Sequence, residues 1–144
     1  MAYDVIEMAF DGCLVMAFVG KEEYWADLDA MYARTHTFLT PGMDDRLGPY
    51  QPDLQYRVIQ DGLCSEDCCP STWARVAIET GMIQWSGFAI NRETLQATPQ
   101  ENGVERRFCR DCYTETAGIV MRDMRECGVD VDDLQRALKS IEER

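Results

Sequence analysis

The chain has 144 residues, of which 46% are hydrophobic, which is enough for one packed domain and argues against wholesale disorder. Its 26 acidic residues outnumber its 14 basic residues and give a formal net charge of −12. Such a surface repels nucleic-acid backbones and anionic membranes, and this argues against either as the main partner. A basic protein surface, or one that normally holds nucleic acid, is the partner that this charge predicts.

The acidity is concentrated in the first half of the chain. Residues 1–70 hold thirteen acidic and four basic residues, whereas residues 71–144 hold thirteen and ten. The alternative interpretation is that acidity serves solubility, or a salt-rich environment. The first residues lack the basic segment and apolar run of an export signal, and the seven cysteines are an odd number, so we expect a cytoplasmic protein with reduced or metal-bound thiols.

In the first half of the chain the pattern of apolar residues changes twice. Residues 3–19 alternate around Asp11-Gly12, which predicts a β-hairpin. Residues 21–39 carry apolar side chains at helical spacing and predict a helix. Residues 40–53 are rich in proline and glycine and predict a loop, and residues 54–58 predict a short strand.

The second half begins with a predicted short helix, residues 72–80, with Ser71 as its N-cap. Residues 82–90 and 104–108 predict two strands, and residues 98–103 predict a turn between them.

Two further helices are predicted near the end of the chain. The first covers residues 113–127 and is closed by Gly128, and the second is capped by Asp130. The predicted fold class is α+β, in one compact domain of residues 1–144. An acidic N-terminal β-hairpin plus helix, a ββα part, would occupy residues 1–61. A zinc-stabilised hairpin and helix with a C-terminal helix would occupy residues 62–144.

Five of the cysteines form two groups. Cys64, Cys68 and Cys69 are the first cysteine cluster, and Cys109 and Cys112 are the CxxC pair. Two close pairs of thiolates are the ligands that a structural Zn²⁺ takes in tetrahedral geometry. The alternative is that these cysteines are free structural thiols.

The order of a cysteine pair on a turn, a β-hairpin and a CxxC at the start of a helix resembles the treble-clef zinc fold over residues 62–128. The resemblance implies that one Zn²⁺ is bound by Cys64, by Cys68 or Cys69, and by the CxxC pair. The first pair is separated by three or four residues here, instead of the family's usual two.

The surroundings of the CxxC pair give it a second interpretation. Arg106, Arg107 and Arg110 would offset the net charge of a four-thiolate zinc site. However, a strand, a CxxC and a helix also form the local thioredoxin pattern, in which the pair is a redox dithiol. The chain after residue 128 predicts one helix and none of the strands that this fold needs. The remaining cysteines, Cys13 and Cys127, are expected to be buried free thiols.

No catalytic constellation is recognisable. The chain has a single histidine, His36, and contains no phosphate-binding glycine loop, no Gly-x-Ser-x-Gly and no His-Glu-x-x-His. Asp44, Asp45 and Asp53 have the chemistry of an oxygen-ligand metal site, although acidic loop residues are more often only solvated. We therefore expect a protein that is not an enzyme.

The predicted function is that of a zinc-stabilised acidic protein-binding module. A phage-type inhibitor that mimics nucleic acid and competes for the nucleic-acid-binding surface of a host complex would have this size and charge. The acids expected to contact the partner are Glu22, Glu23, Asp27, Asp29, Asp44 and Asp45. Tyr24, Trp25 and Tyr32 are expected in the core, and any that faces outward beside the acids would anchor an interface. The alternative is a nucleic-acid-binding zinc protein that uses Arg106, Arg107 and Arg110.

Overall fold

The computed structural model describes residues 2–27, 37–41, 56–60, 71–79, 81–92, 96–99 and 105–142. Within these residues, strands form two antiparallel sheets and two helices follow them, so the expected α+β class is confirmed. The strands are β1 Ile6–Phe10, β2 Leu14–Val19, β3 Glu22–Asp27, β4 Tyr56–Gln60, β5 Ser71–Glu79, β6 Met82–Arg92, β7 Gln96–Pro99 and β8 Arg106–Cys109. The helices are α1 Arg110–Glu126 and α2 Asp132–Glu142.

The first sheet has the strand order β1-β2-β3 and begins with the predicted hairpin. At the tip of β1 and β2, the Asp11 carboxylate accepts hydrogen bonds from the backbone N–H groups of Leu14 (2.7 Å) and Cys13 (2.9 Å). These two bonds lower the pKa of Asp11. Gly12 has a φ of 103°, which favours glycine. The hairpin prediction is confirmed because its turn signal is local.

The predicted helix over residues 21–39 is wrong where the structure describes it. Glu22–Asp27 is strand β3 and pairs with β2 from Val19↔Glu22 to Leu14↔Asp27. Thr37 forms an isolated bridge to Val58. Gly20, at a φ of 61°, makes a two-residue turn that sends the chain back along β2, so sheet pairing overrides the helical spacing. Residues 28–36 lie outside the described residues.

The second sheet has the order β4-β5-β6-β7, and β8 also pairs with β6. The predicted helix over residues 72–80 is wrong, because Ser71–Glu79 is strand β5 and pairs with β6. Gly81, at a φ of 70°, lies in the tight turn between these strands. A glycine with positive φ serves a helix end and a hairpin turn equally well, and this ambiguity explains the error.

The strand prediction for residues 82–90 is confirmed, and β6 continues to Arg92. The turn predicted over residues 98–103 is wrong for its first part, because Gln96–Pro99 pairs with β6 as β7. Strand β8 confirms the prediction over residues 106–108, and its first residues pair opposite Trp85 and Gln84. The β4 strand confirms the prediction over residues 56–58.

Both C-terminal helices are confirmed. Helix α1 ends where Gly128, at a φ of 87°, donates to the Arg125 carbonyl (2.9 Å) and Val129 donates to the Met124 carbonyl (3.0 Å). Helix α2 begins where the Asp130 carboxylate accepts the N–H of Asp132 (3.1 Å). Neither of these two helices, the ones in the described part of the chain, is long and apolar enough to cross a membrane.

One hydrophobic core joins both sheets and both helices, and Trp85 on β6 lies at its centre with no exposed surface. Its ring lies 5.3 Å from Tyr24, 5.1 Å from Phe108, 5.8 Å from Phe38 and 6.4 Å from Tyr113, measured between centroids. Aromatic pairs of this kind contribute about 0.5–1.5 kcal/mol each beyond their buried area. Hydrogen bonds fix the arrangement: the Trp85 Nε1–H donates to the Tyr113 hydroxyl (3.2 Å), which donates to the Phe38 carbonyl.

Candidate functional site

The outer face of the first sheet carries apolar side chains that the core does not cover. On β2, Val15, Ala17 and Val19 are at most 1% exposed, so the alternate residues point to the opposite side of the sheet. The apolar members of this opposite side are half-buried, and they are Leu14, Met16, Phe18 and Trp25. We call them, together with Glu7, Glu23 and Asp27, the outer face.

The strand register groups the outer face into rows. Trp25 lies opposite Met16, which gives an apolar centre. In the next row, Phe18 lies between Glu7 on β1 and Glu23 on β3, and both carboxylates are exposed. Among the described residues, neither Glu7 nor Glu23 has a Lys, Arg or His side chain within ion-pair distance. The result is an apolar patch with acids at its edge.

The acids predicted to bind a partner divide into two groups. Glu22 and Glu23 are exposed on β3, and Asp27 is half-buried at its end. They occupy a strand instead of the expected helix. Three others lie outside the described residues: Asp29, Asp44 and Asp45.

The predicted aromatic residues also have different positions. Tyr24 packs edge-on against Trp85 in the core, as expected. Trp25 is on the outer face, beside Glu23, and its backbone N–H donates to the Gln60 side chain (3.3 Å). Tyr32, His36 and Asp53 lie outside the described residues.

The CxxC pair lies at the junction of β8 and α1. Cys109 is the last residue of β8, and Cys112 is in the first turn of α1. The neighbouring Arg110 N–H donates to the Gly81 carbonyl (3.2 Å), and the next residue, Tyr113, is buried beside Trp85. This first turn is therefore fixed by the core on one side, while Cys112 is exposed and Cys109 is half-exposed on the other.

The two cysteines of the CxxC pair lie on one turn, because Cys109 is the N-cap residue of α1 and Cys112 is three residues further on. The backbone N–H of Cys112 is the largest cause that lowers the pKa of Cys109, and the Cys112 thiol lowers it further. The Cys109 side chain and its negative charge raise the pKa of Cys112. The N-terminal amides of a helix stabilise negative charge in this way, so Cys109 is the sulfur that the junction favours as a thiolate.

The three arginines near the CxxC pair have local partners. Arg106 lies 4.0 Å from the Asp4 carboxylate, and Arg107 lies 3.2 Å from Glu105. The Arg110 guanidinium donates to the Ile141 carbonyl near the end of α2. These contacts tie the arginines to the N-terminal segment and to α2.

Cys13 and Cys127 were expected to be buried, and this is wrong, because both are exposed. Cys13 lies in the turn between β1 and β2, and Cys127 follows the last residue of α1. Turns and helix ends lie at the surface even when their neighbours in sequence are apolar.

The first cysteine cluster (Cys64, Cys68 and Cys69) lies outside the described residues, between Gln60 at the end of β4 and Ser71 at the start of β5. The register pairs Ser71 with Asn91, whereas Cys109 pairs with Met82. Asn91 is nine residues beyond Met82 on β6, which is about 30 Å at ~3.3 Å per residue. The two ends of the 61–70 segment and the CxxC pair are therefore at opposite ends of the second sheet.

Zinc stays a prediction. Cys109 and Cys112 provide two of the four thiolates that a structural Zn²⁺ takes, and their soft sulfurs suit it. Within the described ranges, no three or more side chains of His, Cys, Asp or Glu are grouped closely enough to hold a metal ion.

Our sequence reasoning missed the outer face as a continuous surface. The signal was β2 itself, because Leu14–Val19 is apolar at every position and not only at alternate ones. An uninterrupted apolar strand is typical of a strand that is covered on both faces. Comparison of the chain with protein-family models, with curated proteins and with solved structures found no match.

Proposed function

We propose that this protein is a non-enzymatic binding module whose outer face docks onto a basic protein surface. The observation that carries the proposal is the row Glu7–Phe18–Glu23 beside the apolar pair Met16 and Trp25. Tryptophan is among the residues most enriched at the energetic centre of interfaces. Acids around such a centre select a partner of opposite charge and accelerate its association.

The size of the outer face limits its role. Three strands of six residues or fewer cover roughly 300 Å², from ~3.3 Å per residue and ~4.8 Å between strands. A standard interface buries about 800 Å² on each partner. The outer face is therefore proposed as the centre of a larger interface, with acids of the N-terminal half around it.

The charge of the whole chain supports a specific kind of partner. A net charge of −12 favours association with a basic groove of the kind that binds nucleic acid. We therefore propose an inhibitor of the phage type, which occupies the nucleic-acid-binding surface of a complex. The alternative, direct nucleic-acid binding through Arg106, Arg107 and Arg110, has less support, because each of these side chains already contacts a partner within the chain.

A displacement assay tests this proposal. A panel of purified nucleic-acid-binding complexes, each holding its own fluorescently labelled DNA or RNA, is titrated with the protein, and fluorescence anisotropy reports release of the label. We expect release from at least one complex and no binding of the labelled nucleic acid by the protein alone. Binding of the free nucleic acid, lost when the three arginines become alanine, would instead establish the alternative.

Charge reversal on the outer face is compared with an equal charge reversal elsewhere on the protein. The double substitution Glu7→Lys and Glu23→Lys is expected to weaken displacement at least about tenfold, because two like charges then face the basic partner. The control, Asp123→Lys and Glu126→Lys, changes the net charge equally at exposed positions of α1. Equal loss in both variants would show that only total charge matters and would contradict a role for the outer face.

A further inference from the structure

We infer that Cys109 and Cys112 form a dithiol, separate from the first cysteine cluster, that exchanges with low-molecular-weight disulfides and closes reversibly to a disulfide. The two free cysteines are three residues apart on the first turn of α1, where side chains at this spacing are neighbours, and Cys112 is exposed while Cys109 is half-buried. This inference is independent of the proposed docking of the outer face, which lies on the first sheet.

The described strands place the residue after the first cysteine cluster away from the CxxC pair. Ser71 is opposite Asn91 near the end of β6, whereas Cys109 is opposite Met82 at the start of β6. Asn91 is nine residues beyond Met82. We therefore expect the CxxC pair to act without the first cysteine cluster.

The proposed exchange conserves atoms and electrons. The Cys109 thiolate, at the N-terminus of α1, attacks one sulfur of an external disulfide. That S–S bond breaks, its second sulfur leaves as a thiolate, and a mixed disulfide forms at Cys109. Cys112 then releases its proton to solvent and attacks the Cys109 sulfur, which expels the second small thiolate. Two protein thiols are oxidised and one external disulfide is reduced to two thiols.

Thiol mapping tests this inference on the full chain, purified under reducing conditions without chelator. The protein is incubated with oxidised glutathione, remaining thiols are alkylated, and peptides are identified by mass spectrometry. We expect loss of two thiols per chain, a Cys109–Cys112 disulfide, and recovery of both thiols with reduced glutathione. Cys112→Ser is expected to stop at the Cys109–glutathione mixed disulfide, whereas Cys13→Ser with Cys127→Ser is expected to close normally.

A second variant distinguishes a separate dithiol from a shared metal site. Replacing all three residues of the first cysteine cluster with serine is expected to leave the rate of disulfide closure unchanged within about twofold, with zinc content measured in parallel. Two results would overturn the inference. One is a CxxC pair that resists glutathione until zinc is removed. The other is glutathione attached equally to all exposed cysteines without a Cys109–Cys112 bond.

Discussion

The outer face and the β8–α1 junction lie on the same core but present different chemistry to solvent. The outer face carries half-buried apolar side chains, and no described cation lies within ion-pair distance of its Glu7 or Glu23. At the junction, the arginines contact acids or a helix end, and the exposed groups are two thiols. We propose the first region as a surface for a macromolecule and the second as a dithiol for a small disulfide. Because the two regions lie on different elements, we expect that binding and thiol exchange can be altered separately.

The largest expected effect comes from removing the residue that both regions share. Trp85→Ala deletes the ring that contacts Tyr24 beneath the outer face and Tyr113 beneath the junction. We expect a loss of about 3–5 kcal/mol in the free energy of unfolding, as for other buried tryptophans. Urea unfolding followed by circular dichroism measures it. A loss below about 1 kcal/mol would contradict a common core.

Tyr113→Phe is expected to have the next largest effect. The substitution leaves the Trp85 Nε1–H and the Phe38 carbonyl without their hydrogen-bond partner in the core, at a cost of about 1–3 kcal/mol. Denaturant unfolding of both proteins at pH 7 provides the measurement. An unchanged stability would show that the hydrogen bonds through this hydroxyl contribute nothing.

The pH dependence of stability also distinguishes the protein from the Tyr113→Phe variant. Burial raises the pKa of Tyr113, and the smaller effects of Trp85 and Arg57 lower it. The unfolded chain therefore loses this proton near pH 10 while the folded chain keeps it. Stability should fall by about 1.4 kcal/mol per pH unit above pH ~10 through this group, and Tyr113→Phe should remove that part of the slope. Parallel slopes in the two proteins would contradict the assignment.

A glycine within α1, Gly118, and the glycine that follows its end, Gly128, are expected to respond in opposite directions to substitution by alanine. Gly128→Ala places a side chain at a φ of 87°, which costs about 1–2 kcal/mol even though no atom lies within 4 Å of the added Cβ. At Gly118, the added Cβ meets only Leu138 Cδ2 at 3.5 Å, an ordinary contact. Gly118→Ala should therefore stabilise α1 by about 0.5–1 kcal/mol. Thermal unfolding of both variants checks the pair. Destabilisation by Gly118→Ala would contradict the ordinary contact there, and an unchanged stability for Gly128→Ala would contradict the helix end at Gly128.

The smallest expected effect on stability is that of Trp25→Ala. This half-buried side chain is outside the core cluster, so we expect a loss of less than about 1.5 kcal/mol. Its effect on displacement of nucleic acid should be large, at least about tenfold, because it removes the proposed anchor. Trp85→Ala is expected to affect mainly stability, and Trp25→Ala mainly binding. A strong loss of stability in Trp25→Ala with unchanged displacement would contradict its role as an anchor.

Elements with local signals were predictable from the sequence. The β1–β2 turn depends on Asp11 and Gly12, and the helix boundaries depend on Gly128 and Asp130, all within a few residues of the element that they define. Strands β3 and β5 were not predictable in this way. Their apolar residues fit both the helical and the strand period over six to nine positions, and their partners in the sheet decide between the two.

The candidate sites also differ in how far the sequence predicts them. The CxxC pair at a strand–helix junction was predicted from adjacent residues and lies where it was expected. The outer face required the register of three strands, and the position of Ser71 relative to Cys109 required the pairing of β5, β6 and β8. Register depends on contacts between distant residues, which spacing along one chain does not contain.

The most direct test of a separate docking surface is a titration followed by ¹⁵N NMR. The labelled protein is mixed with the basic complex from which it displaces nucleic acid most strongly, and line broadening is mapped onto assigned amides. When the partner is present at less than one equivalent, we expect the first amide signals to broaden to be those of Glu7, Phe18, Glu23 and Trp25. The amide signals of residues 109–112 should stay sharp. Broadening confined to Arg106, Arg107 and the CxxC pair would contradict it and move binding to the junction.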